Sequence, residues 1–251
     1  MTGMTPTVPA DKRPAPLGSA SPSPLRPIEI VVIAVSTGGP SALEVVLPSL
    51  PANFPVPIMI VQHMPRLFTG VLAERLDRCC PLVVREAREG DEAMPGTVLL
   101  APGDAHLEVV RKPDPEARTI AHLHQQRPLN NCRPSADYLF SSAARIHGAG
   151  TLALVMTGMG VDGLNGARRV HEAGGVVLAQ DQATSVVWGM PGSVVAAGLA
   201  RRPLPLAEIA RELNVRVNAG RPRTASTESA IPAQATRTTP APQREEIHGL
   251  L

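Results

Sequence analysis

Three short apolar runs constrain this chain more than any other feature: VVIAV (Val31 to Val35), IMIV (Ile58 to Val61) and LALVM (Leu152 to Met156). None alternates with polar residues, and each is far shorter than the ~20 residues that span a bilayer. Runs of this kind read as strands buried on both faces, as in a parallel sheet with helices on either side. The spacing predicts strands over Ile28 to Val35, Pro57 to Gln62, Thr151 to Thr157 and Val176 to Gln180. Helical patterns follow over Ser41 to Leu50, Thr69 to Cys79, Ser135 to Ile146 and Leu164 to Ala173. A further helix begins over Ser193 to Ala197. The last, Pro205 to Leu213, starts on a proline suited to a first turn. Thr97 to Ala101, Leu107 to Arg111 and Thr119 to His124 are closely spaced strand patterns, read as an antiparallel insertion or edge. The expected fold class is α/β: a doubly wound, mostly parallel sheet with helices on both faces and a small antiparallel hairpin region.

Residues 1–25 are rich in Pro, Ser, Ala and Thr and lack apolar periodicity, as do residues 218–251. Both ends read as disordered arms, leaving residues 26–217 as one folded block of ordinary domain size. The formal net charge is +2, which gives no electrostatic case for nucleic acid or an anionic membrane. Aromatic residues are 2 % of the chain, too few for a base-stacking platform. The N-terminus lacks the basic and apolar regions of a signal peptide. The expectation is therefore a cytoplasmic protein, without membrane insertion, and monomeric. Cys79, Cys80 and Cys132 form no disulfide framework and no CxxC, so they read as small buried or half-buried thiols with no metal role. His122 and His124 alternate along one strand but have no third ligand nearby, and read as ordinary strand residues.

Ligands of an open parallel sheet bind beyond the carboxyl ends of its strands. The first strand is followed there by Ser36, the second by His63, and the LALVM strand by the loop GMGVDG with Asp162. A serine hydroxyl becomes a nucleophile when an imidazole takes its proton and a carboxylate orients that imidazole. Gly38 and Gly39 permit a sharp turn, and the following helix N-terminus offers free N–H groups to an oxyanion. Each residue also has an ordinary reading: Ser36 as a helix cap, His63 as a loop histidine, Asp162 as a turn residue. Asp104 and Asp181 also follow strands, and spacing does not rank the three carboxylates. The chain order Ser, His, Asp differs from that of the α/β-hydrolases, and Ala34 stands where their elbow motif has glycine. Neither a dinucleotide-binding G-x-G-x-x-G nor a P-loop string occurs.

Six strings occur in order: VSTGGP, VQHMPRLFTGVLAERL, PGTVLLAPGDAHLEV, NCRPSADYLFSSAA, LVMTGMGVDGLNGARRVHEAGGVVLAQD and SVVWGMP. Together they resemble the catalytic domain of the CheB-type chemotaxis receptor methylesterases, over about Pro27 to Leu199. The resemblance implies a protein-glutamate methylesterase that hydrolyses glutamate γ-methyl esters on the cytoplasmic signalling region of methyl-accepting receptors. Methanol is released and no cofactor is required. It implies Ser36 as nucleophile, His63 as general base and then acid, and Asp162 as the partner of His63. It places backbone N–H groups near Met159 at the oxyanion, with Thr37 and Gly38 in the same pocket. Arg66, beside His63, then reads either as a contact for an acidic receptor surface or as a solvated arginine in a helix-starting turn. Many family members also carry an N-terminal receiver domain, for which the stretch before the first strand is too short. The expectation is an open site, or one controlled in trans. Three alternatives are a protein-glutamine deamidase on the same receptors, a non-catalytic receptor-binding adaptor, and a small-molecule esterase.

Overall fold

The computed structural model describes residues 26–219 and Arg221. The expected arm over 1–25 and nearly all of the expected tail over 218–251 lie outside the described residues. Six strands form one sheet in the order β3-β4-β2-β1-β7-β8, and every pairing in it is parallel. They are β1 (Ile30–Val35), β2 (Ile58–Gln62), β3 (Val83–Glu86), β4 (Thr97–Leu100), β7 (Thr151–Val155) and β8 (Val176–Ala179). A separate antiparallel pair joins β5 (His106–Arg111) to β6 (Thr119–His124). The helices are α1 (Gly39–Val46), α2 (Arg66–Cys79), α3 (Ala136–His147), α4 (Leu164–Glu172), α5 (Met190–Ala196) and α6 (Leu206–Asn218).

The unbroken apolar runs are explained by burial on two sides. In β1, Val31, Ile33 and Val35 enter a core with Leu43 of α1, Leu72 and Leu76 of α2 and Leu213 of α6. Ile30, Val32 and Ala34 enter the opposite core with Phe140 of α3, Val170 of α4 and Val194 of α5. Each Val, Leu, Ile or Phe side chain among them contributes roughly 1.5–3 kcal/mol when removed from water. The doubly wound α/β fold is as expected.

Two readings of the middle region need correction. β4 is not part of an antiparallel insertion; it pairs in parallel with both β2 and β3. Its Val98 and Leu100 face one core and Leu99 the other, so it obeys the same two-sided burial as β1. Only β5 and β6 make the hairpin. β3 has no expected counterpart: it is a short edge strand with Val83 exposed and Arg85 and Glu86 at its end, and so lacks an apolar run. Helix bounds also shift. α2 begins at Arg66, straight after Pro65, and α5 at Met190, three residues ahead of the expected start.

The chain enters the sheet at β1, moves outward through β2, and returns to the other side of β1 with β7. The strand order reverses at β1, which opens a crevice at its carboxyl end. Among the described residues, no helix is long and apolar enough to cross a membrane.

Candidate active site

Ser36 and His63 stand one step past the last register pair of β1 and β2, Val35 with Gln62. The His63 N–H donates to Val35 O (3.1 Å) and the Ser36 N–H to Thr157 O (2.9 Å), tying the three strand ends together. The buried Gln62 amide crosses this junction and donates to the carbonyls of Ser36 and His63, both at 3.0 Å. Beyond Ser36 the chain turns through Thr37 and Gly38 into α1. Gly38 has φ +80°, and a Cβ on it would lie 2.7 Å from Val186, so the turn needs glycine. Thr157 donates its hydroxyl proton to Thr37 O (2.9 Å) and accepts from the Val187 N–H (3.0 Å), which clamps the turn against the SVVWGMP segment.

The loop after β7 lies directly on Ser36. A Cβ at Gly158 would be 2.8 Å from Ser36 Cβ and 2.4 Å from Met190 Sδ. This contact brings the Met159 peptide beside the serine, with the Met159 side chain exposed. Among the described residues, the backbone N–H groups of Thr37, Gly38 and Met159 have no hydrogen-bond acceptor.

Further along that loop, Asp162 is 2 % exposed and receives four hydrogen bonds. Its Oδ2 accepts from His63 Nε2 (2.8 Å) and the Ala136 N–H (2.7 Å). Its Oδ1 accepts from Ser135 Oγ (2.6 Å) and Asn130 Nδ2 (3.0 Å). Ala136 opens α3, so the carboxylate also sits at a helix N-terminus, where negative charge is favoured. Burial alone would raise the Asp162 pKa, but the bonds from His63, Ser135, Asn130 and Ala136 hold it below the usual range. Burial likewise opposes a charged His63. The hydrogen bonds and charges of Asp162 and Cys132 outweigh it and push His63 up to about 9.

Nε2 of His63 is committed to Asp162, so Nδ1 is the ring nitrogen left to accept a proton. It faces Cys132 Sγ at 3.8 Å. Among the described residues, the Ser36 hydroxyl has no protein hydrogen-bond partner, His63 included. Such contacts are often long in a resting site and close once substrate is bound.

The structure separates the three carboxylates that spacing left open. Asp104 pairs with Arg133, and Asp181 accepts from the Thr184 N–H within its own turn (3.0 Å). Only Asp162 meets His63. His122 and His124 lie on β6, where they face Glu89 and Glu108. Gln62, Asn130, Cys132, Ser135 and Thr157 were not singled out from sequence as site residues. Their contacts to the site span 26 to 120 residues of chain, except the bond from Gln62 to its neighbour His63.

The fold and site thus define an α/β protein with Ser, His and Asp gathered at the carboxyl edge of a parallel sheet, at its switch point. The chain belongs to the CheB methylesterase family, whose model matches residues 31–213. It is 52 % identical over 199 residues to a Nocardioides sp. protein named protein-glutamate methylesterase/protein-glutamine glutaminase, covering 79 % of this chain and 53 % of that one. A Caulobacter vibrioides protein of the same name, numbered 2, is 49 % identical over 204 residues, covering 80 % and 58 %. The chain therefore spans about half the length of the curated relatives it matches. The crystal structure of the Thermotoga maritima CheB methylesterase catalytic domain superposes with a TM-score of 0.72 at 45 % identity, covering 75 % of this chain and 98 % of that one.

Proposed function

We propose that this chain is a protein-glutamate methylesterase of the serine type. Its substrates are γ-methyl esters of glutamate on the cytoplasmic signalling domains of methyl-accepting receptors, and it acts as a cytoplasmic monomer. The observation that carries the reading is the His63–Asp162 hydrogen bond beside Ser36, in a chain of the CheB methylesterase family.

Ser36 Oγ attacks the ester carbonyl while Nδ1 of His63 takes its proton. Asp162 holds the ring through Nε2 and stabilises the imidazolium that results. The unpartnered N–H groups of Thr37, Gly38 and Met159 receive the tetrahedral oxyanion. His63 then protonates the departing methoxide, giving methanol and an acyl-enzyme. Water, activated by the same nitrogen, releases the glutamate carboxylate and restores Ser36.

A second reading has a specific support: the relatives' names also include protein-glutamine glutaminase. The same steps on a side-chain amide would release ammonia. The test is methanol and ammonia release from a methylated receptor cytoplasmic fragment, with intact chain and Ser36→Ala. Methanol from the intact chain alone supports the methylesterase. Ammonia alone moves the reading to a deamidase, and binding without either product to an adaptor. Turnover of simple esters with none on the receptor fragment marks a small-molecule esterase.

A further inference from the structure

We propose that His63 and Cys132 form a binding site for a borderline-soft divalent cation, with Zn²⁺ the best fit, and that its occupation switches the esterase off. The inhibitory half of this proposal rests on the methylesterase reading; the binding half does not.

The ligand atoms are already placed. Cys132 Sγ lies 3.8 Å from His63 Nδ1. Zinc bonds of ~2.3 Å to sulfur and ~2.05 Å to nitrogen span that separation at an N–Zn–S angle of about 120°, close to tetrahedral. Nδ1 is the ring nitrogen that faces the thiol, because Nε2 is held at 2.8 Å by Asp162; the metal displaces the Nδ1 proton and takes the lone pair it leaves. A carboxylate behind a ligating histidine is the usual outer shell of a zinc site, fixing the tautomer and raising the basicity of the ligand nitrogen. The donor atoms of His63, Cys132 and Asp162 lie within 4.8 Å of one another, the one such cluster among the described residues.

Access and charge are compatible with an ion. His63 and Cys132 line a groove of about 460 Å³ that also includes Met64, Arg66 and Asp104, so water or a small ligand can complete the coordination. Arg133, the nearest basic neighbour in sequence, is turned onto Asp104. The Cys132 thiol points at Asn130 O (3.4 Å) and gives up its proton when the metal binds. Thiolate with imidazole selects zinc over magnesium or calcium, which prefer oxygen.

The consequence for catalysis follows from valence. Nδ1 can hold a metal or accept the Ser36 proton, not both. Zinc here therefore removes the general base instead of activating a water, and a chelator raises activity.

The test uses the full chain carrying Cys79→Ser and Cys80→Ser, so that the adjacent thiols do not contribute. Zn²⁺ affinity is measured by competition with a colorimetric chelator, and Co²⁺ is used to read thiolate-to-metal charge-transfer absorption. The expected result is one equivalent of zinc, a cobalt–thiolate band, and loss of both on adding Cys132→Ser. Asp162→Asn is expected to weaken zinc about 10–100-fold. Methanol release, referred to each protein's own zinc-free rate, falls with zinc in the Cys132 protein and recovers with chelator. No stoichiometric binding, or equal affinity after Cys132→Ser, overturns the site. Stoichiometric binding with unchanged methanol release overturns the inhibitory role. If the zinc-free protein releases no methanol, the methylesterase reading fails and the inhibitory role falls with it; the affinity data still decide the site.

Discussion

Asp162 shows how a buried carboxylate is kept charged. Four donors reach it from three places in the chain, His63, Asn130 and the adjacent pair Ser135 and Ala136, and of these only His63 is proposed to do chemistry on substrate. Loss of a member of the proposed catalytic set should therefore be graded. Ser36→Ala is expected to lower kcat by about 10⁵-fold or more, and Asp162→Asn by about 10⁴-fold, because some catalysis survives without the orienting group. Equal losses in steady-state methanol release would contradict the assignment. Ser135→Ala removes both the cap of α3 and one bond to Asp162. About 1 kcal/mol of stability should go with the cap, and the remaining three bonds should keep activity within tenfold or so of the parent. Denaturant titration and kinetics on one preparation read the two effects separately. Ser36 and His63 were legible from sequence because they directly follow apolar strands. By spacing alone Asp162 was one of three carboxylates, since the choice depends on which loop folds over Ser36, and it was the family resemblance that picked it out. Ser135 and Asn130 were not legible as partners, because a hydrogen bond between positions 27 and 32 residues apart leaves no local pattern.

At the scale of elements, the site is made by a strand-to-helix turn with a second loop pressed onto it. Gly158 is the point of contact. Its Cβ in a Gly158→Ala variant would meet Met190 Sδ, which can swing aside, and Ser36 Cβ, which β1 and α1 hold in place. The loop must then lift, carrying the Met159 N–H away from the oxyanion. A displacement near 1 Å costs about 10²-fold in kcat, with KM little changed. Wild-type kcat in this variant, with its fold intact by circular dichroism, would show that the loop does not set the geometry. The same rule of burial explains which elements could be read. β1, β2, β7 and β8 carry apolar runs because helices cover both faces. β4 obeys that rule but was grouped with the hairpin, because the next strand, β5, follows it too closely for a helical crossover. β3 was invisible because an edge strand needs fewer apolar residues.

For the whole molecule, the histidines set opposing pH dependences. Burial lowers His106, His124 and His147, so each favours the neutral form in the folded chain. Their contribution is present above the ordinary pKa of 6.5 and is lost as pH falls through their lowered values. His63 runs the other way. Its pKa is raised from 6.5 to about 9. Its contribution is complete below 6.5 and is lost as pH rises through about 9. That loss is on the order of 3 kcal/mol. Stability in metal-free buffer should therefore peak near neutrality. His63→Gln should flatten the alkaline limb and leave the acid limb in place. Activity should respond in the opposite sense over the same alkaline window, because His63 as the proposed base works only after it has lost its proton. kcat/KM is expected to rise as pH approaches 9, and in Asp162→Asn the rise should move toward an ordinary histidine value. Denaturant midpoints and methanol release, measured on one pH series, test both limbs. An activity plateau already reached at pH 7, with stability unchanged up to pH 9, would mean that His63 is not held as the cation by Asp162.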